Sequence, residues 1–314
     1  MSYKNYSKAK TNNKSYKNTK RKADNEKMKE VFKTLQDGVK DVFSSEAYKK
    51  YLDFLSMFHN YSLNNTLLIL FQMPSAVRVA SKATWEKAGF KLLDNVQGIN
   101  VIVPVEHKQE ETVIIRDTNG NPVVDTNGEV QTRKEERVTT SFKVGKVYDI
   151  SQTDGKLPTL SHELTENSPV LQKAISDIIK NSYEVKIRFD ERLTANDCNG
   201  YYSPKYKSIS LRANMSSAQT FKTLIHELAH SYLHNNTGNE YDRSKEEVEA
   251  ESVAYSVCHC FGLDTSDYSF GYIASWSSDK NLKELKSSLN RIKSAVDKIS
   301  EWVCNSTDLT YNTA

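Results

Sequence analysis

The sequence predicts an α+β fold in two domains: an N-terminal α+β domain and a C-terminal, mainly helical domain with a small β-sheet. Three observations support this prediction. Apolar residues recur at helical spacing over residues 24–59 and 281–303. Short runs rich in β-branched residues, such as 98–106 and 208–213, are typical of strands. A length of 314 residues is sufficient for two domains.

Changes of composition along the chain indicate where these domains begin and end. The first 22 residues contain eight basic residues and no acidic one, and the polar segment "DGKLPTLSHELTENSP" is the best candidate for a linker. We therefore expect five segments: a disordered basic arm (1–23), a first domain (24–154), a linker (155–168), a second domain (169–304) and a tail (305–314).

In the first domain, helices precede a sheet. The apolar residues of 24–42 fall on one helical face, and "LNNTLLILFQMP" forms a later helix that ends at Pro74. The segments "GINVIVPVE" (98–106) and "FKVGKVYDISQT" (142–153) predict strands. The polar residues 107–141 between them hold two Asn-Gly pairs, which are typical of tight turns, and are predicted to be a surface excursion of the sheet.

The second domain alternates helices and strands before it becomes entirely helical. Its predicted elements are a helix (170–182), a strand in "YEVKIRFD", a turn, a strand in "SISLRA" (208–213), a helix containing "TLIHELAHSYLH" (223–234), an acidic helix (245–260) and a strongly amphipathic helix (281–303).

The composition also restricts where such a protein would work. The richest apolar stretch, "TLLILF" (66–71), is too short to span a bilayer, and the N-terminus has no apolar signal core. The four cysteines form no C-x-x-C pair, as expected of reduced thiols. These features predict a cytoplasmic protein without a membrane partner.

The net charge of +3 hides an asymmetry, because the basic arm carries +8 and the rest of the chain therefore −5. Lysines interleaved with Tyr3, Tyr6 and Tyr16 suit a polyanion, since lysines offset phosphate charge and tyrosines can stack on bases. A solvated, disordered leader is equally compatible with this composition.

The segment "TLIHELAHSYLH" contains His226, Glu227 and His230 in the pattern H-E-x-x-H. Two histidines four residues apart on a helix lie ~6 Å apart along its axis, so both rings can reach one ion about 2 Å away. Catalytic Zn²⁺ takes three protein ligands plus a water whose pKa falls to ~7. We predict that His226 and His230 bind the ion and that Glu227 is the catalytic base. An ordinary amphipathic helix that carries histidines is the alternative.

The third ligand is expected on the following helix, in "SKEEVEAESVAYSVCHCFG". Glu247, Ala250, Glu251 and Ala254 share one stripe, whose alanines allow close approach to the histidine helix. Carboxylates on a buried stripe require a partner or a metal. We predict that Glu247 is the third ligand and that Glu251 orients a ligating histidine through a hydrogen bond. A merely charged helix face is the alternative.

Two neighbouring side chains are predicted to lie outside this ligand set. His234 is ~12 Å along the axis from His226, too far to share one ion with it. We expect His234 to be exposed or to pack, with a binuclear or second-shell role left open. Glu249 is expected to point away from the stripe into solvent.

An H-E-x-x-H motif completed by a glutamate on the next helix is a gluzincin-like metallopeptidase arrangement. The strand "SISLRA" could present an edge to an extended peptide. Tyr201, Tyr202 and Tyr255 are candidates for stabilising an oxyanion.

The segment "HELAHSYLH…EVEAESVAYSVCHCFGLDTSDYSFGYIASWS" resembles the C-terminal metallopeptidase domain of ArdC-type antirestriction proteins and their LtrC-like relatives. It is more distantly similar to the ImmA/IrrE peptidases, in which an E-x-x-A pattern that maps onto Glu247 supplies the third ligand. The segments "FHNYSLNNTLLILFQMPSAVRVASKATWEKAGFKL", "GINVIVPV" and "VYDISQT" resemble the ArdC-type domain that binds single-stranded DNA. The similarity covers most of residues 28–303. Where that family usually has a glycine- and lysine-rich turn, this chain has Asp94, Asn95 and Gln97.

The resemblance implies a protein of a phage, plasmid or conjugative element that binds incoming single-stranded DNA and helps the element to escape restriction. It also implies a zincin-like domain with Zn²⁺ as cofactor and a peptide or protein as possible substrate. Two alternatives stay open. One is a DNA-binding antirestriction module whose zinc site is structural or vestigial. The other is a regulatory peptidase that cleaves a repressor or a host defence protein.

Candidate DNA contacts lie in the first domain. Four polar residues interrupt an otherwise apolar segment: Asn60, Asn64, Asn65 and Gln72. They suit hydrogen bonds to phosphates or bases, or equally to backbone groups at the start of a helix. Trp85 with Tyr61 and Arg78 could form a stacking platform, although a single tryptophan is also typical of a core.

Overall fold

The computed structural model describes residues 24–311 with the exception of 59, 126, 156–163, 165, 235–241, 266, 269 and 272. The predicted basic arm and most of the predicted linker lie outside these described residues. The elements confirm the predicted α+β fold class. The helices are α1 (24–41), α2 (Ser45–Met57), α3 (Leu63–Gln72), α4 (Lys82–Lys87), α5 (Pro169–Asn181), α6 (Ser217–Leu233), α7 (Arg243–Cys260), α8 (Ile273–Ser277) and α9 (Leu282–Ser306). The strands are β1 (Val79–Ala80), β2 (Ile99–Ile114), β3 (Thr132–Asp149), β4 (Lys186–Asp190), β5 (Gly200–Ser203) and β6 (Ser208–Arg212).

The chain divides into two compact units that differ from the predicted domains. Among the described residues, one unit contains 24–31 and 100–145, and the other contains Phe32–Ile99 together with everything from Lys146 onward. The predicted boundary at 155–168 therefore does not separate these units. Helices α2 and α3 belong to the same unit as α5 to α9.

Direct hydrogen bonds between α2 and α7 explain this grouping. The hydroxyls of Tyr48 and Ser252 lie 2.7 Å apart, and the Ser56 hydroxyl is 2.7 Å from Nδ1 of His259. The Tyr255 hydroxyl donates to the Asp53 carboxylate. Because these pairs join residues about 200 positions apart, the N-terminal helices complete the core around α7.

The first sheet has the order β1-β3-β2. β1 pairs antiparallel with the end of β3, with Val79 opposite Asp149. The predicted surface excursion over 107–141 is an exposed ribbon that extends the two predicted strands. The strand ends are corrected, because β2 continues to residue 114 and β3 begins at residue 132. Most of this ribbon is exposed on both faces, so it lacks the alternating pattern of a half-buried strand.

The two predicted Asn-Gly turns lie at the end of this ribbon. Gly120 and Gly128 have φ angles of 86° and 82°, in the region that glycine adopts without steric cost. The Asp117 carboxylate accepts hydrogen bonds from the backbone N–H groups of Asn119 and Asn121, and Asp125 does the same for Asn127 and Glu129. The prediction of turns at these positions is confirmed.

The second sheet has the order β4-β6-β5, with β4 parallel and β5 antiparallel to β6. The central strand β6 is buried through Ile209 and Leu211. The expectation that "SISLRA" presents an open edge is therefore wrong, because β6 is paired on both sides. The edge nearest α6 belongs to β5, a four-residue strand in a segment predicted to be a turn.

Helix α7 is surrounded by α2, α6 and α9. Ala250 and Ala254 are fully buried, in agreement with the close approach that their small side chains were predicted to allow. Helix α9 is amphipathic as predicted and buries Leu285, Leu289 and Ile292. None of the helices in the described part of the chain is long and apolar enough to cross a membrane.

Asp149 connects β1 to the end of β3 through its buried carboxylate, which is 1% exposed. Its Oδ2 accepts hydrogen bonds from the backbone N–H groups of Val77 (2.8 Å) and Arg78 (2.9 Å). Its Oδ1 accepts from the N–H of Ser151 at 3.0 Å. Two acceptor oxygens thus satisfy three backbone donors.

We expect Asp149→Asn to lower the free energy of unfolding by about 1–3 kcal/mol. The amide has a single acceptor oxygen and leaves at least one of these donors unpaired. Urea denaturation followed by tryptophan fluorescence measures the change. Asp154→Asn is the matched control, because Asp154 makes an exposed hydrogen bond to the N–H of Lys91. Equal stability of the two variants would contradict this account of Asp149.

Candidate metal centre

Helix α6 places the two histidines of the H-E-x-x-H motif side by side. The helix begins after Ser216, whose hydroxyl accepts a hydrogen bond from the N–H of Gln219. One helical turn separates His226 from His230, and their Nε2 atoms lie 3.1 Å apart. Both side chains are mostly buried, so their rings are held in place.

Glu247 on α7 brings a carboxylate oxygen close to both histidine nitrogens. Its Oε2 lies 3.5 Å from Nε2 of His226 and 3.7 Å from Nε2 of His230. Ligand atoms about 2.0–2.1 Å from a tetrahedral ion are separated by ~3.3 Å. The three measured separations, 3.1, 3.5 and 3.7 Å, bracket that value. His226, His230 and Glu247 therefore form a candidate metal-binding group.

Glu251 contacts the opposite nitrogen of a ligand histidine. Its Oε2 lies 3.2 Å from Nδ1 of His226, while Nε2 of the same ring faces Glu247. A carboxylate can only accept, so Nδ1 of His226 carries a proton in this arrangement. If an ion displaced the second proton of the ring, the Nε2 lone pair would face that ion.

The three ligand side chains interact strongly with one another. Burial acts to lower the pKa of His226, but hydrogen bonds to Glu247 and Glu251 outweigh it and raise the pKa to about 10. Hydrogen bonds from both histidines hold the pKa of Glu247 well below its usual range. Below that pKa, protonated His226 is therefore paired with the carboxylates of Glu247 and Glu251 in the metal-free protein.

Glu227 lies beside the ligand group and is 7% exposed. Burial raises the pKa of this carboxyl, against the charges of His226 and His230 and a hydrogen bond from the backbone N–H of Tyr202. A carboxylate with a raised pKa is a better proton acceptor near neutral pH than an exposed one. Its position suits the predicted role of general base.

A cavity of about 290 Å³ opens beside His226 and Glu227. Its wall is mainly polar and includes Asn199, Gly200, Gln219, Lys222, Thr223, Glu251, Asp267 and Tyr268. Nζ of Lys222 lies 2.9 Å from the Asp267 carboxylate. Polar groups that converge on a cleft can fix the orientation of a bound ligand.

The cavity requires a close approach between β5 and α6. A Cβ atom on Gly200 would lie 2.8 Å from Cγ2 of Thr223 and 3.1 Å from the carbonyl oxygen of Ser210. Glycine is therefore needed where the strand passes the helix.

The tyrosines considered for oxyanion stabilisation lie in different places. Tyr255 hydrogen-bonds to Asp53 on α2, and neither it nor Tyr201 or Tyr202 lines the cavity. Tyr268 does line it, and burial raises the pKa of its hydroxyl. Sequence reasoning missed Tyr268 because it follows α7 in a segment without a regular pattern.

The expectation that Glu249 points into solvent is wrong. Its side chain is fully buried and accepts hydrogen bonds from Ser288 and Arg291 on α9. His234 is also buried, and its Nε2 lies 3.1 Å from Oε2 of Glu249. Because α9 covers the outer side of α7, a position that would be solvated in a two-helix arrangement becomes interior.

Three of the candidate DNA contacts, Tyr61, Asn65 and Gln72, make hydrogen bonds to the protein itself. Asn60, Asn64, Gln72 and Arg78 are at least partly exposed. The Gln72 amide donates to the carbonyl of Leu68, and the Tyr61 hydroxyl donates to the carbonyl of Val79. The N–H of Asn65 contacts the hydroxyl of Ser62 at the start of α3.

Trp85 is a core residue, which corrects the idea of a stacking platform with Tyr61 and Arg78. It is 4% exposed, and its indole N–H donates to the carbonyl of Tyr148 at 2.8 Å. Its ring packs edge-on against Phe90. The side chain fixes α4 to β3 and offers no open ring face to a base.

The fold and the site define an α+β chain with a candidate H-E-x-x-H…E metal centre. No protein-family model matches its sequence. The chain is 28% identical over 300 residues to an uncharacterized protein of Bacillus anthracis. That similarity covers 85% of this chain and 49% of the relative, so the chain spans about half the length of the curated relative that it matches.

Among solved structures, the chain is similar to the antirestriction protein ArdC of plasmid R388. The metal-free ArdC structure gives a TM-score of 0.45 at 19% identity and covers 78% of this chain and 86% of ArdC. The Mn(II)-bound ArdC structure gives a TM-score of 0.45 at 17% identity, with coverages of 78% and 84%.

We expect metal affinity at this centre to rise with pH. Below its pKa of about 10, His226 in the metal-free protein holds a proton that an incoming ion must displace. Between pH 7 and 9 the Kd for Zn²⁺ should fall by about tenfold per pH unit, with about one proton released per ion. Chelator competition and calorimetry in buffers of different ionisation enthalpy measure both quantities. A Kd that does not depend on pH would contradict a protonated His226 in the metal-free protein.

Proposed function

We propose that this protein is a metal-dependent peptidase of an antirestriction type that also binds single-stranded DNA. One observation carries the proposal for hydrolysis: two imidazole nitrogens and a carboxylate oxygen lie at tetrahedral ligand separations, next to a buried glutamate. The resemblance of the surrounding motifs to ArdC-type proteins supports the antirestriction role.

Zn²⁺ is the proposed ion. Two histidines and one glutamate, with a fourth position open to water, are a common ligand set for catalytic zinc. When bound, Zn²⁺ would lower the pKa of that water and make hydroxide available near neutral pH. The same donors also accept other divalent ions, so we include Mn²⁺ in the test below.

Glu227 is the proposed proton carrier. Its buried carboxylate would accept a proton from the attacking water and pass it to the departing amine. The backbone N–H of Tyr202 and the neighbouring helix turn hold the carboxylate in position. Glu251 would keep His226 oriented through its Nδ1 hydrogen bond.

The proposed peptide site runs along β5. The N–H of Arg212 donates to the carbonyl of Asn199, so the backbone groups of the next residue, Gly200, point away from β6 at the wall of the cavity. An extended peptide could pair with this edge and place its scissile bond beside Glu227. The polar wall with Lys222 and Gln219 favours a polar substrate side chain.

The proposal for DNA binding rests on charge. The eight basic residues of the arm are interleaved with tyrosines, which suits a flexible polyanion such as single-stranded DNA. Asn60, Asn64 and Arg78 are at least partly exposed and stay candidate contacts near α3. A repressor or host defence protein bound to DNA would be a peptide source within reach of such an arm.

We expect Glu227→Gln to bind Zn²⁺ as wild type does but to hydrolyse peptides at least ~100-fold more slowly, because the general base is removed. Cleavage of a proteome-derived peptide library in the presence of Zn²⁺ or Mn²⁺, read by mass spectrometry, measures the rate. Zinc content measured by elemental analysis checks the site.

Glu301→Gln is the matched control, because Glu301 is an exposed glutamate on α9. It should cleave as wild type does. If wild type binds zinc but cleaves nothing, and Glu227→Gln keeps full antirestriction activity in cells, the centre is structural and the peptidase proposal is wrong.

We expect replacement of the eight arm lysines and arginines by serine to weaken binding of a single-stranded oligonucleotide. The slope of log K against log salt should become shallower by roughly 0.7 for each phosphate that the arm no longer neutralises. Fluorescence anisotropy of the full chain at several salt concentrations measures the slope. If the arm variant binds the oligonucleotide as tightly as wild type does, the arm does not contact DNA. If wild type does not bind at low salt, the proposal of DNA binding is wrong.

A further inference from the structure

A second line of hydrogen bonds leads away from the candidate metal ligands, starting at His230. The Nδ1 atoms of His230 and His234 lie 3.1 Å apart, and Nε2 of His234 lies 3.1 Å from Oε2 of Glu249. The side chains of His234 and Glu249 are 4% and 0% exposed. A buried His-His-carboxylate line thus begins at one of the two ligand histidines.

Helix α9 holds the far end of this line. The Ser288 hydroxyl donates to Oε1 of Glu249 at 3.0 Å, and Nε of Arg291 donates to Oε2 at 3.0 Å. The same guanidinium donates from Nη2 to the carbonyl of Leu233, the last residue of α6. Both oxygens of Glu249 are therefore engaged, and its negative charge is paired with Arg291.

We propose that His234 and Glu249 are positioning residues that set the tautomer and orientation of His230 for metal binding. This inference rests on the proposed metal centre and adds residues to it. Glu249 can only accept, so the hydrogen on neutral His234 lies on Nε2 and its Nδ1 is an acceptor. His230 then donates from its own Nδ1, which leaves the Nε2 lone pair directed at His226 and Glu247.

The two ligand histidines are oriented by different routes. His226 donates directly to Glu251 on α7. His230 points its Nδ1 toward the end of α6, where His234 stands between it and the carboxylate of Glu249. Outer hydrogen-bond partners of this kind fix the ring of a ligand and raise its basicity.

A second metal ion is the competing explanation for the short distance between the Nδ1 atoms of His230 and His234. His230, His234 and Glu246 also bring ligand atoms within 4.8 Å of one another. An ion there would make His230 a bridge between two metals and would abolish the hydrogen bond that His230 donates to His234. Metal stoichiometry separates the two arrangements, because the positioning role requires one ion per chain.

The experiment compares wild type with His234→Leu and His234→Asn. Leucine removes the acceptor for His230, whereas the Oδ1 of asparagine takes a place near that of the histidine Nδ1. We expect His234→Leu to weaken Zn²⁺ binding by about 10- to 100-fold and His234→Asn to restore most of the affinity. Chelator competition gives the Kd, and the absorption spectrum of the Co²⁺-loaded protein reports the ligand geometry. Equal Kd values for wild type and both variants would overturn the proposal.

Nitrogen-15 spectra of histidine-labelled, Zn²⁺-loaded wild type test the tautomers without any substitution. We expect a proton on Nδ1 of His230 and on Nε2 of His234. A His234 protonated on Nδ1, or two zinc ions per chain, would overturn the proposal. If wild type binds no Zn²⁺ at all, the proposed metal centre itself fails, which is distinguishable from a zinc-binding wild type whose variants do not differ from it.

Discussion

The packing of α6 on α7 is the interaction on which the candidate site depends. Helix α6 alone offers two nitrogens, and the third ligand atom and the Glu251 hydrogen bond both come from α7. Ala250 and Ala254 on α7 are fully buried, and their small side chains suit a close approach of the two helices. A bulky residue there would separate the ligands before it affected either helix by itself.

Charges inside the protein are placed where other elements can pair them. Glu249 is enclosed by α9, and Lys293 on the same helix is mostly buried beside Asp297. Removing one member of a buried ion pair destabilises the fold far more than removing one member of an exposed pair. The remaining charge is then buried with neither a partner nor water to compensate it. Helix α9 therefore supports the candidate metal ligands indirectly, through the groups that surround Glu249.

Sequence reasoning found the parts of the site that follow helical spacing. His226, Glu227 and His230 share one α6 face, and the candidate ligand Glu247 lies on the stripe that the alanines marked. Sequence reasoning missed the features that depend on an element distant in the chain. Glu249 looked solvated because α9 lies far along the chain, and β5 is too short to show a period. The full length of the β2–β3 ribbon could not be predicted, because both of its faces are exposed. Its residues therefore do not alternate between apolar and polar, and strand cannot be distinguished from loop.

The hydrogen bonds between α2 and α7 bear on how such a chain can recombine with others. A gene fusion could join only the region from α5 onward to another protein. Ser252, Tyr255 and His259 on α7 would then lose their hydrogen-bond partners on α2. New sequence is more readily accommodated at the turns around Gly120 and Gly128, where the ribbon is exposed. Variation among relatives of this chain should therefore concentrate at the ribbon tip and spare the contact between the first helices and α7.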